Sequence, residues 1–287
     1  MKNLNKDKIL FFLIAVLFGT IGPVVRAIGL PSHVVANLRA WIASVALILF
    51  LVLTKKKVDF ALLKQKALPL AVCGVLMAVN WIGLFEAYNY TTIATATVCY
   101  YMMPIIVFFL SPLVLGEKFT AKHLVCALVA LAGMVLVSGM VENGIPELSE
   151  IKGILWALLG AVCYSGIILI NKKNPEVAPF VRTTVMMFLA AVFSTPYVLL
   201  RGGYCLSSLT LKGTACLLLL AVGLTAFTYM KYFDVLTKIP ARTAAIFSYL
   251  DPVVAVLISV FVMGEPITLT GIVGSVLIIG SALVSEC

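Results

Sequence analysis

Residues 101–120 read YMMPIIVFFLSPLVLGEKFT, and residues 249–268 read YLDPVVAVLISVFVMGEPIT. When the second stretch is placed on the first at an offset of 148 residues, both carry a tyrosine, then a proline, and then G-E-x-x-T at the end. The matched pairs are Tyr101 with Tyr249, Pro104 with Pro252, Gly116 with Gly264, Glu117 with Glu265 and Thr120 with Thr268. The repeat predicts that the chain is built from two related halves.

The apolar residues form long runs, and the composition excludes most classes of soluble protein. Hydrophobic residues make up 62% of the 287 residues and charged residues 11%, against roughly a quarter charged in an ordinary soluble domain. A helix needs about 20 apolar residues to cross a bilayer. These values exclude a soluble enzyme, a disordered chain and a nucleic-acid binder, and the runs do not alternate as an outer-membrane barrel would. We number the predicted spans 1 to 10: 9–29, 31–53, 67–88, 93–115, 120–140, 152–171, 180–200, 212–234, 240–263 and 268–284.

The ten predicted spans divide into two halves, residues 1–143 and 144–287. Each half holds an odd number of spans, so the second half crosses the membrane in the opposite sense to the first. The predicted fold class is therefore an all-α integral membrane protein of ten transmembrane helices, arranged as two inverted five-helix repeats. Secondary transporters are often built this way, with the binding site at the interface of the repeats.

Lysine and arginine residues concentrate in every second connecting segment. Cytoplasmic loops of membrane proteins carry such an excess. An N-terminus in the cytoplasm places the basic clusters at 2–8, 55–66, 118–122, 172–173 and 231–242 on that side. The net charge of +9 is thus explained by topology. We predict a multi-pass protein of the cytoplasmic membrane with both termini inside.

The repeated segments also carry a family resemblance. Residues 100–137 (YYMMPIIVFFLSPLVLGEKFTAKHLVCALVALAGMVLV) and 248–284 (SYLDPVVAVLISVFVMGEPITLTGIVGSVLIIGSALV) resemble the end of an EamA domain, with late glycines at Gly133 and Gly280. Arg39 in span 2 fits the same pattern, whereas Met187 stands at the aligned position of the second half. The whole chain resembles two tandem EamA units of the drug/metabolite transporter superfamily. The resemblance implies a ten-helix transporter and favours export.

Ionisable residues at membrane depth are candidates for function because they are expensive there. Asp251 lies near the middle of span 9, and its counterpart in the first half is Met103. The prolines Pro252 and Pro104 lack an N–H, which predicts helix kinks that free the carbonyls of Ser248 and Tyr100. One hypothesis is a polar binding site at mid-membrane. The other is a kink whose free carbonyl accepts a hydrogen bond from a neighbouring hydroxyl, with Asp251 in a structural salt bridge. The site would contain Ser248, Tyr249 and Asp251, facing Tyr100 and Tyr101.

Arg39 lies within span 2 and needs a partner or a water-filled cavity. The acidic residues at suitable depth are Asp251 and Glu86. An ion pair with a structural role is the interpretation that the sequence favours, and a role in binding or coupling is the alternative. Removal of one partner of a buried pair typically costs about 3–5 kcal/mol.

Polar and aromatic residues of spans 3, 6 and 8 complete the candidate site. Glu86 and Asp234 are aligned by the repeat at opposite mouths, which fits a pair of gates or, alternatively, two solvated charges at helix ends. We expect the cavity to be lined by spans 3, 4, 8 and 9 with contributions from 1 and 6, and spans 5 and 10 to be peripheral. The remaining candidate side chains are Asn80, Trp81, Tyr164, Thr228 and Tyr229.

These features predict a secondary transporter or facilitator for a small amphipathic metabolite, such as an amino acid, an amine or a related solute. We expect alternating access and export; import of an organic or vitamin-like metabolite is the alternative. An integral membrane enzyme acting on lipid-linked substrates and a channel are further alternatives. The sequence has no P-loop motif and no H-E-x-x-H, and we expect no enzyme activity, no cofactor and no metal. The expected partners are the solute, the bilayer and protons, without nucleic acid, in a monomer or a homodimer.

Overall fold

The computed structural model describes residues 2–55, 57–118, 120–137, 150–263 and 268–286. Within these ranges the chain forms helices joined by short turns, without strands. The helices are α1 (Lys2–Gly19), α2 (Ile21–Ile28), α3 (Ser32–Leu53), α4 (Phe60–Gln65), α5 (Ala67–Tyr90), α6 (Ile93–Tyr100), α7 (Met103–Leu115), α8 (Ala121–Val137), α9 (Ile151–Lys173), α10 (Pro179–Leu200), α11 (Leu211–Leu218), a π-helical segment (Leu219–Phe227), α12 (Thr228–Leu236), α13 (Ala241–Phe247), α14 (Leu250–Met263) and α15 (Leu269–Glu286).

Seven helical stretches in the described residues are long and apolar enough to cross a membrane. They establish a multi-pass helical membrane protein. They are Lys6–Ile28, Ser32–Leu53, Ala67–Tyr90, Thr95–Leu115, Ile151–Lys173, Pro179–Leu200 and Leu211–Leu236. The other three predicted spans are shorter helices: α8, α15, and the pair α13 and α14, which a break separates. Ten crossings therefore remain a prediction.

Spans 4 and 9 are each divided just before a proline. The first break lies between α6 and α7, and the second lies between α13 and α14. The prolines sit at the start of the new helix, where a missing N–H costs little, so the expected kinks at Pro104 and Pro252 are instead helix breaks. The carbonyl of Ser248 is also not left free, because the N–H of Asp251 donates to it at 3.4 Å.

Helices from the first half of the chain pack against helices from the second. In this way α5 lies along α9, α3 along α10 and α8 along α15. At the α8–α15 contact, a methyl group at Gly133 would lie 2.7 Å from the carbonyl oxygen of Gly274, and one at Gly274 would lie 2.5 Å from that of Gly133. Small residues allow this close backbone approach. Gly280, the late glycine of the second repeat, has open space around it.

We predict that Gly133→Ala and Gly274→Ala each lower the stability of the detergent-solubilised protein by about 1–3 kcal/mol, because the added methyl overpacks the contact. Gly280→Ala is the matched control and should be neutral or stabilising, because alanine favours the helix. Thermal unfolding followed by size-exclusion chromatography measures the three variants. Equal melting temperatures for Gly133→Ala and Gly280→Ala would contradict the packing described here.

Candidate functional site

A cavity of about 670 Å³ lies at the centre of the helical bundle. We name the two ends of the bundle by residues that lie there. The Arg201 end holds Arg201 and Ser32, and the lysine end holds Lys66 and Lys172. The cavity extends from Phe11 in the interior to Gly22 and Ser32, which are exposed at the Arg201 end. It is therefore accessible from that end of the bundle.

Arg39 contributes the positive charge of the cavity wall. Its guanidinium lies over the ring of Trp81, 4.1 Å from the ring centroid, and its side chain is 8% exposed. A cation over an aromatic face is stabilised by about 0.5–2 kcal/mol. The Nε atom of Arg39 is buried and has no hydrogen-bond partner among the described residues. Trp81 thus orients the guanidinium and leaves hydrogen-bonding capacity free.

Asp251 contributes the acidic side chain of the same cavity. Its Oδ1 atom is buried without a hydrogen-bond partner in the described part of the chain. The residue lies in the first turn of α14, where the helix dipole favours a negative charge. Gly19 brings α1 close to this point, because a methyl group at Gly19 would lie 2.8 Å from the carbonyl oxygen of Asp251.

Arg39 and Asp251 do not form the ion pair that the sequence favoured. No salt bridge joins Arg39 to either acidic candidate within the described residues, and the groups in its electrostatic range are the tyrosines Tyr100, Tyr164 and Tyr229. The sequence placed both residues at a suitable depth, but it did not reveal that they line the cavity without a salt bridge between them. Tyr229 lies within electrostatic range of both charges.

Aromatic side chains form most of the remaining wall. The lining includes six tyrosines: Tyr88, Tyr100, Tyr101, Tyr164, Tyr229 and Tyr232. Asn80 stands behind this wall, where its Nδ2 donates to the hydroxyl of Tyr100 at 3.2 Å and to the carbonyl of Gly160 at 2.8 Å. Asn80 therefore positions a lining tyrosine and does not itself face the cavity.

The predicted site residues separate into those that line the cavity and those that support its wall. The lining set comprises Arg39, Trp81, Tyr100, Tyr101, Tyr164, Tyr229, Ser248, Asp251 and Pro252. Thr228 donates to the carbonyl of Gly223 at 2.9 Å, and Tyr249 donates to the carbonyl of Tyr101 at 2.9 Å. These two residues and the buried Pro104 support the wall without lining it. The rings of Tyr101 and Tyr249 stack with centroids 6.0 Å apart.

Two further helices contribute to the cavity wall: span 5, which was expected at the periphery, and span 2, which was not among the expected lining spans. Met134 and Val137 of α8 line the cavity, so span 5 is not peripheral as predicted. The cause is the close packing of α8 into the bundle. Span 2 likewise contributes Arg39 and, one turn earlier, Val35 and Ala36.

The lysine end of the bundle is closed. The ring of Phe11 meets Tyr232 at 5.3 Å and Phe247 at 6.3 Å between centroids. Beyond these rings, Glu117 accepts a 2.9 Å hydrogen bond from the N–H of Ala241 and lies 3.7 Å from the Nζ of Lys172. Glu117 therefore caps a helix of the other half. Glu265 lies outside the described residues.

The two aligned acids at the mouths each have a basic partner. Glu86 at the Arg201 end is buried and pairs with Arg201 and with the hydroxyl of Tyr197. The hydrogen bond to Glu86 raises the pKa of Arg201. At the lysine end, Asp234 pairs with Lys238 at 2.9 Å. Neither Glu86 nor Asp234 lines the cavity.

Sequence reasoning missed one buried cation, Arg182 near the start of α10. It is 1% exposed and donates to the carbonyls of Asn174 at 2.7 Å, Val177 at 2.9 Å and Phe233 at 3.1 Å. Its position at the end of an apolar run resembles that of an interfacial cation. The sequence shows no sign that the loop and α12 fold over it. Arg182 satisfies helix-end carbonyls, so its role is structural.

Apolar helices around a polar, charged central cavity define a multi-pass membrane protein with an internal solute-sized chamber. The model of the EamA-like transporter family matches residues 7–139 and again residues 151–286. The chain belongs to that family of membrane transporters, as its sequence resemblance implied.

Proteins similar in sequence align with most of the chain. The uncharacterized transporter YxxF of Bacillus subtilis (strain 168) is 25% identical over 253 residues, which is 87% of this chain and 79% of the relative. An uncharacterized transporter of Archaeoglobus fulgidus is 27% identical over 277 residues, 95% of this chain and 93% of the relative. A solved crystal structure matches 98% of this chain and 96% of its own with a TM-score of 0.86 at 20% identity, which shows a shared fold.

We predict that Arg39 and Asp251 are energetically independent. In a double-mutant cycle of Arg39→Gln, Asp251→Asn and the double variant, the coupling free energy of unfolding should stay within about 0.5 kcal/mol, as for residues that share no contact. Each single variant should also retain stability, because it removes a buried charge that has no ion-pair partner. Thermal unfolding in detergent gives these values. A loss of about 3–5 kcal/mol in each single variant, recovered in the double, would reveal a buried ion pair.

Proposed function

We propose that the chain is a secondary transporter that exports a small amphipathic metabolite across the cytoplasmic membrane by alternating access. The observation that carries the proposal is the cavity itself: it is lined by Arg39 and Asp251, each with a buried polar atom that has no hydrogen-bond partner among the described residues, and it is open at one end of the bundle. A binding chamber near the middle of the membrane is what a carrier needs. The solute class that fits the mixed charged and aromatic wall is an amino acid, an amine or a related metabolite.

The proposed architecture is ten membrane helices in two inverted repeats, residues 1–143 and 144–287. Three observations support it. Helices of one half pack on helices of the other. The aligned residues Tyr101 and Tyr249 stack on each other, and both lie at a helix break that precedes an aligned proline. Rocking of the halves about this contact would move access from one end to the other.

The charge distribution supports an orientation for the bundle. Lysines concentrate at the lysine end, and cytoplasmic loops carry such an excess. We therefore place the lysine end and both termini in the cytoplasm and the Arg201 end outside. On this orientation the cavity faces outward, and the contact between Glu117, Lys172 and Ala241 closes the inner mouth. The Glu86–Arg201 pair would then act at the outer mouth, and Asp234 at the inner one.

Counterflow in liposomes tests the transport function directly. Purified protein is reconstituted with a panel of unlabelled amino acids, amines and carboxylic acids inside, and uptake of each labelled solute is measured. Saturable uptake that is stimulated by the same solute on the far side supports a carrier. Uptake without such stimulation would indicate a channel, and absence of uptake for the whole panel would contradict the proposal. Chemical conversion of a lipid-linked substrate would favour the membrane enzyme, and uptake into energised cells that exceeds efflux would favour an importer.

We propose that Asp251 couples transport to protons, since it is the acidic side chain in the cavity wall. Asp251→Asn keeps the shape of the side chain and removes its titration. We expect this variant to retain solute exchange and to lose uphill transport driven by a pH gradient. Proteoliposomes with and without an imposed gradient measure the two rates. Gradient-driven transport by a folded Asp251→Asn protein would refute the coupling role.

The closed lysine end gives a second prediction. Glu117→Ala removes the acceptor for the N–H of Ala241 and the partner of Lys172. We expect the inner mouth to open more often, so that a cysteine placed at Ala15 in the cavity wall reacts several-fold faster with a maleimide applied to the cytoplasmic face. Cys205 and Cys287 must be replaced by serine in this experiment. Cys205 is exposed and a hydrogen bond with Ser207 lowers its pKa, and the proposed orientation places Cys287, which follows the last span, on the cytoplasmic side.

Glu176→Gln is the control for the accessibility experiment. Glu176 pairs with Lys66 at the same end of the bundle, and neither residue lines the cavity. An ion pair between such partly exposed groups contributes about 0–1 kcal/mol, so this variant should label at the parent rate. Equal labelling rates in the Glu117→Ala and Glu176→Gln proteins would mean that Glu117 does not hold the inner mouth closed.

A further inference from the structure

Span 8 contains a stretch of unusual helix. Its apolar helical stretch, Leu211–Leu236, is continuous, but the middle of it, Leu219–Phe227, is π-helical. In this form a backbone N–H bonds to the carbonyl five residues back, as the N–H of Thr228 does to Gly223. The nine residues of this segment exceed the single turn that π-helices usually occupy. Because the π form is rare, particular side chains must favour it here.

Two threonine hydroxyls make hydrogen bonds that match the wider helix. Thr225 donates to the carbonyl of Leu220 at 2.8 Å, and Thr228 donates to that of Gly223 at 2.9 Å. Both bonds reach five residues back, whereas a threonine in an α-helix bonds three or four residues back. Thr225 is 0% exposed and Thr228 is 7% exposed, so neither hydroxyl can turn to bulk water instead. These bonds therefore favour the π form over the α form.

The aligned segment of the first half is an ordinary α-helix. At the offset of 148 residues, Thr225 and Thr228 meet Met77 and Asn80, which lie within α5. A methionine has no hydroxyl, and the amide of Asn80 donates to groups outside its own helix. The π form thus follows the two hydroxyls and not the fold that the halves share.

The π-helical segment determines which way the following helix, α12, faces. A π-helix turns the chain through a smaller angle per residue than an α-helix, since each hydrogen-bonded ring holds one more residue. The preceding helix, α11, is held in place, because a methyl group at Gly213 would lie 2.6 Å from the carbonyl oxygen of Ile28. A change from the π form to the α form would therefore rotate α12 about its axis. The residues of α12 that line the cavity are Tyr229 and Tyr232.

We propose that Thr225 and Thr228 are positioning residues for the cavity wall. Their hydroxyls hold residues 219–227 in the π form, and this form directs Tyr229 and Tyr232 into the cavity. In the α form both rings would turn away from it. The shape of the wall depends on the two hydroxyls whatever solute it binds, and only the consequence for solute passage rests on the proposed transport function.

The same two rings take part in closing the lysine end. Tyr229 meets Phe18 at 4.8 Å and Tyr232 meets Phe11 at 5.3 Å between centroids. Both phenylalanines belong to α1 of the first half. Rotation of α12 would separate these contacts between the halves, so conversion of the π-helical segment to the α form is a movement by which the inner mouth can open.

Cysteine labelling measures which face of α12 meets the cavity. Single cysteines are placed at the two lining positions in the Cys205→Ser, Cys287→Ser background, and a water-soluble maleimide is added to the purified protein. The substitutions are Tyr229→Cys and Tyr232→Cys. Both positions line a cavity that is accessible from the Arg201 end, so both should react faster than the background protein.

Thr225→Val and Thr228→Val together remove both hydroxyls and keep the shape of the side chains. Each lost hydrogen bond should favour the α form by about two- to tenfold. We therefore expect the labelling rates at positions 229 and 232 to fall by about tenfold in the double variant, because the labelled face of α12 turns away from the cavity.

Two further pairs of variants separate the hydroxyl bonds from general effects. Thr225→Ser with Thr228→Ser retains both hydroxyls and should label at the parent rate. Thr183→Val with Thr184→Val is the matched control, because these threonines of α10 are 0% and 8% exposed and bond four residues back. This pair should also label at the parent rate.

Parent labelling rates in the double valine variant would overturn the inference, and so would an equal fall in the serine variant or in the α10 control. If the double valine variant does not elute as a single species in size-exclusion chromatography, Thr225→Val and Thr228→Val are tested singly, with an expected fall of about two- to tenfold each. Labelling needs no transport. Absence of counterflow for every solute would therefore contradict the proposed function and leave the positioning role intact.

Discussion

The hydrocarbon interior of a membrane offers no partner to a polar group, so each one must be satisfied within the protein. Most deep polar side chains of this chain follow that rule. Asn80 donates to a tyrosine and a carbonyl, and Arg182 donates to three carbonyls. Arg39 and Asp251 instead retain unpaired buried atoms and face a common cavity. These exceptions are where the fold leaves room for a ligand.

The helix breaks explain how the cavity wall is assembled. Each break lies at an aligned tyrosine, and the hydroxyl of Tyr249 satisfies the carbonyl of Tyr101 across the interface. The second break also places Asp251 in the first turn of α14, close to α1 at Gly19. On the proposed mechanism, this central contact is the pivot, and the weaker contacts at the two ends open in turn.

Much of the cavity wall could be predicted from the sequence, because a polar residue within an apolar run must point into the bundle. That argument found Arg39, Asp251 and the lining tyrosines. It failed for the Arg39–Asp251 ion pair, because a span fixes the depth of a residue but not its distance from a neighbouring helix. The sequence also did not reveal the hydrogen bond of Glu117 to Ala241, because the two residues are 124 positions apart. The contact of Gly274 depends on helix packing that has no local sequence signal.

The central claim is that the two ends of the bundle open alternately around one chamber. Double electron–electron resonance tests it with two spin-labelled pairs, each joining the two halves, in a Cys205→Ser, Cys287→Ser background: Lys118 with Lys238 at the lysine end, and Asn89 with Lys212 at the Arg201 end. Addition of a solute that shows counterflow should lengthen the first distance and shorten the second. Distances that stay fixed under saturating solute, or that lengthen together, would contradict alternating access.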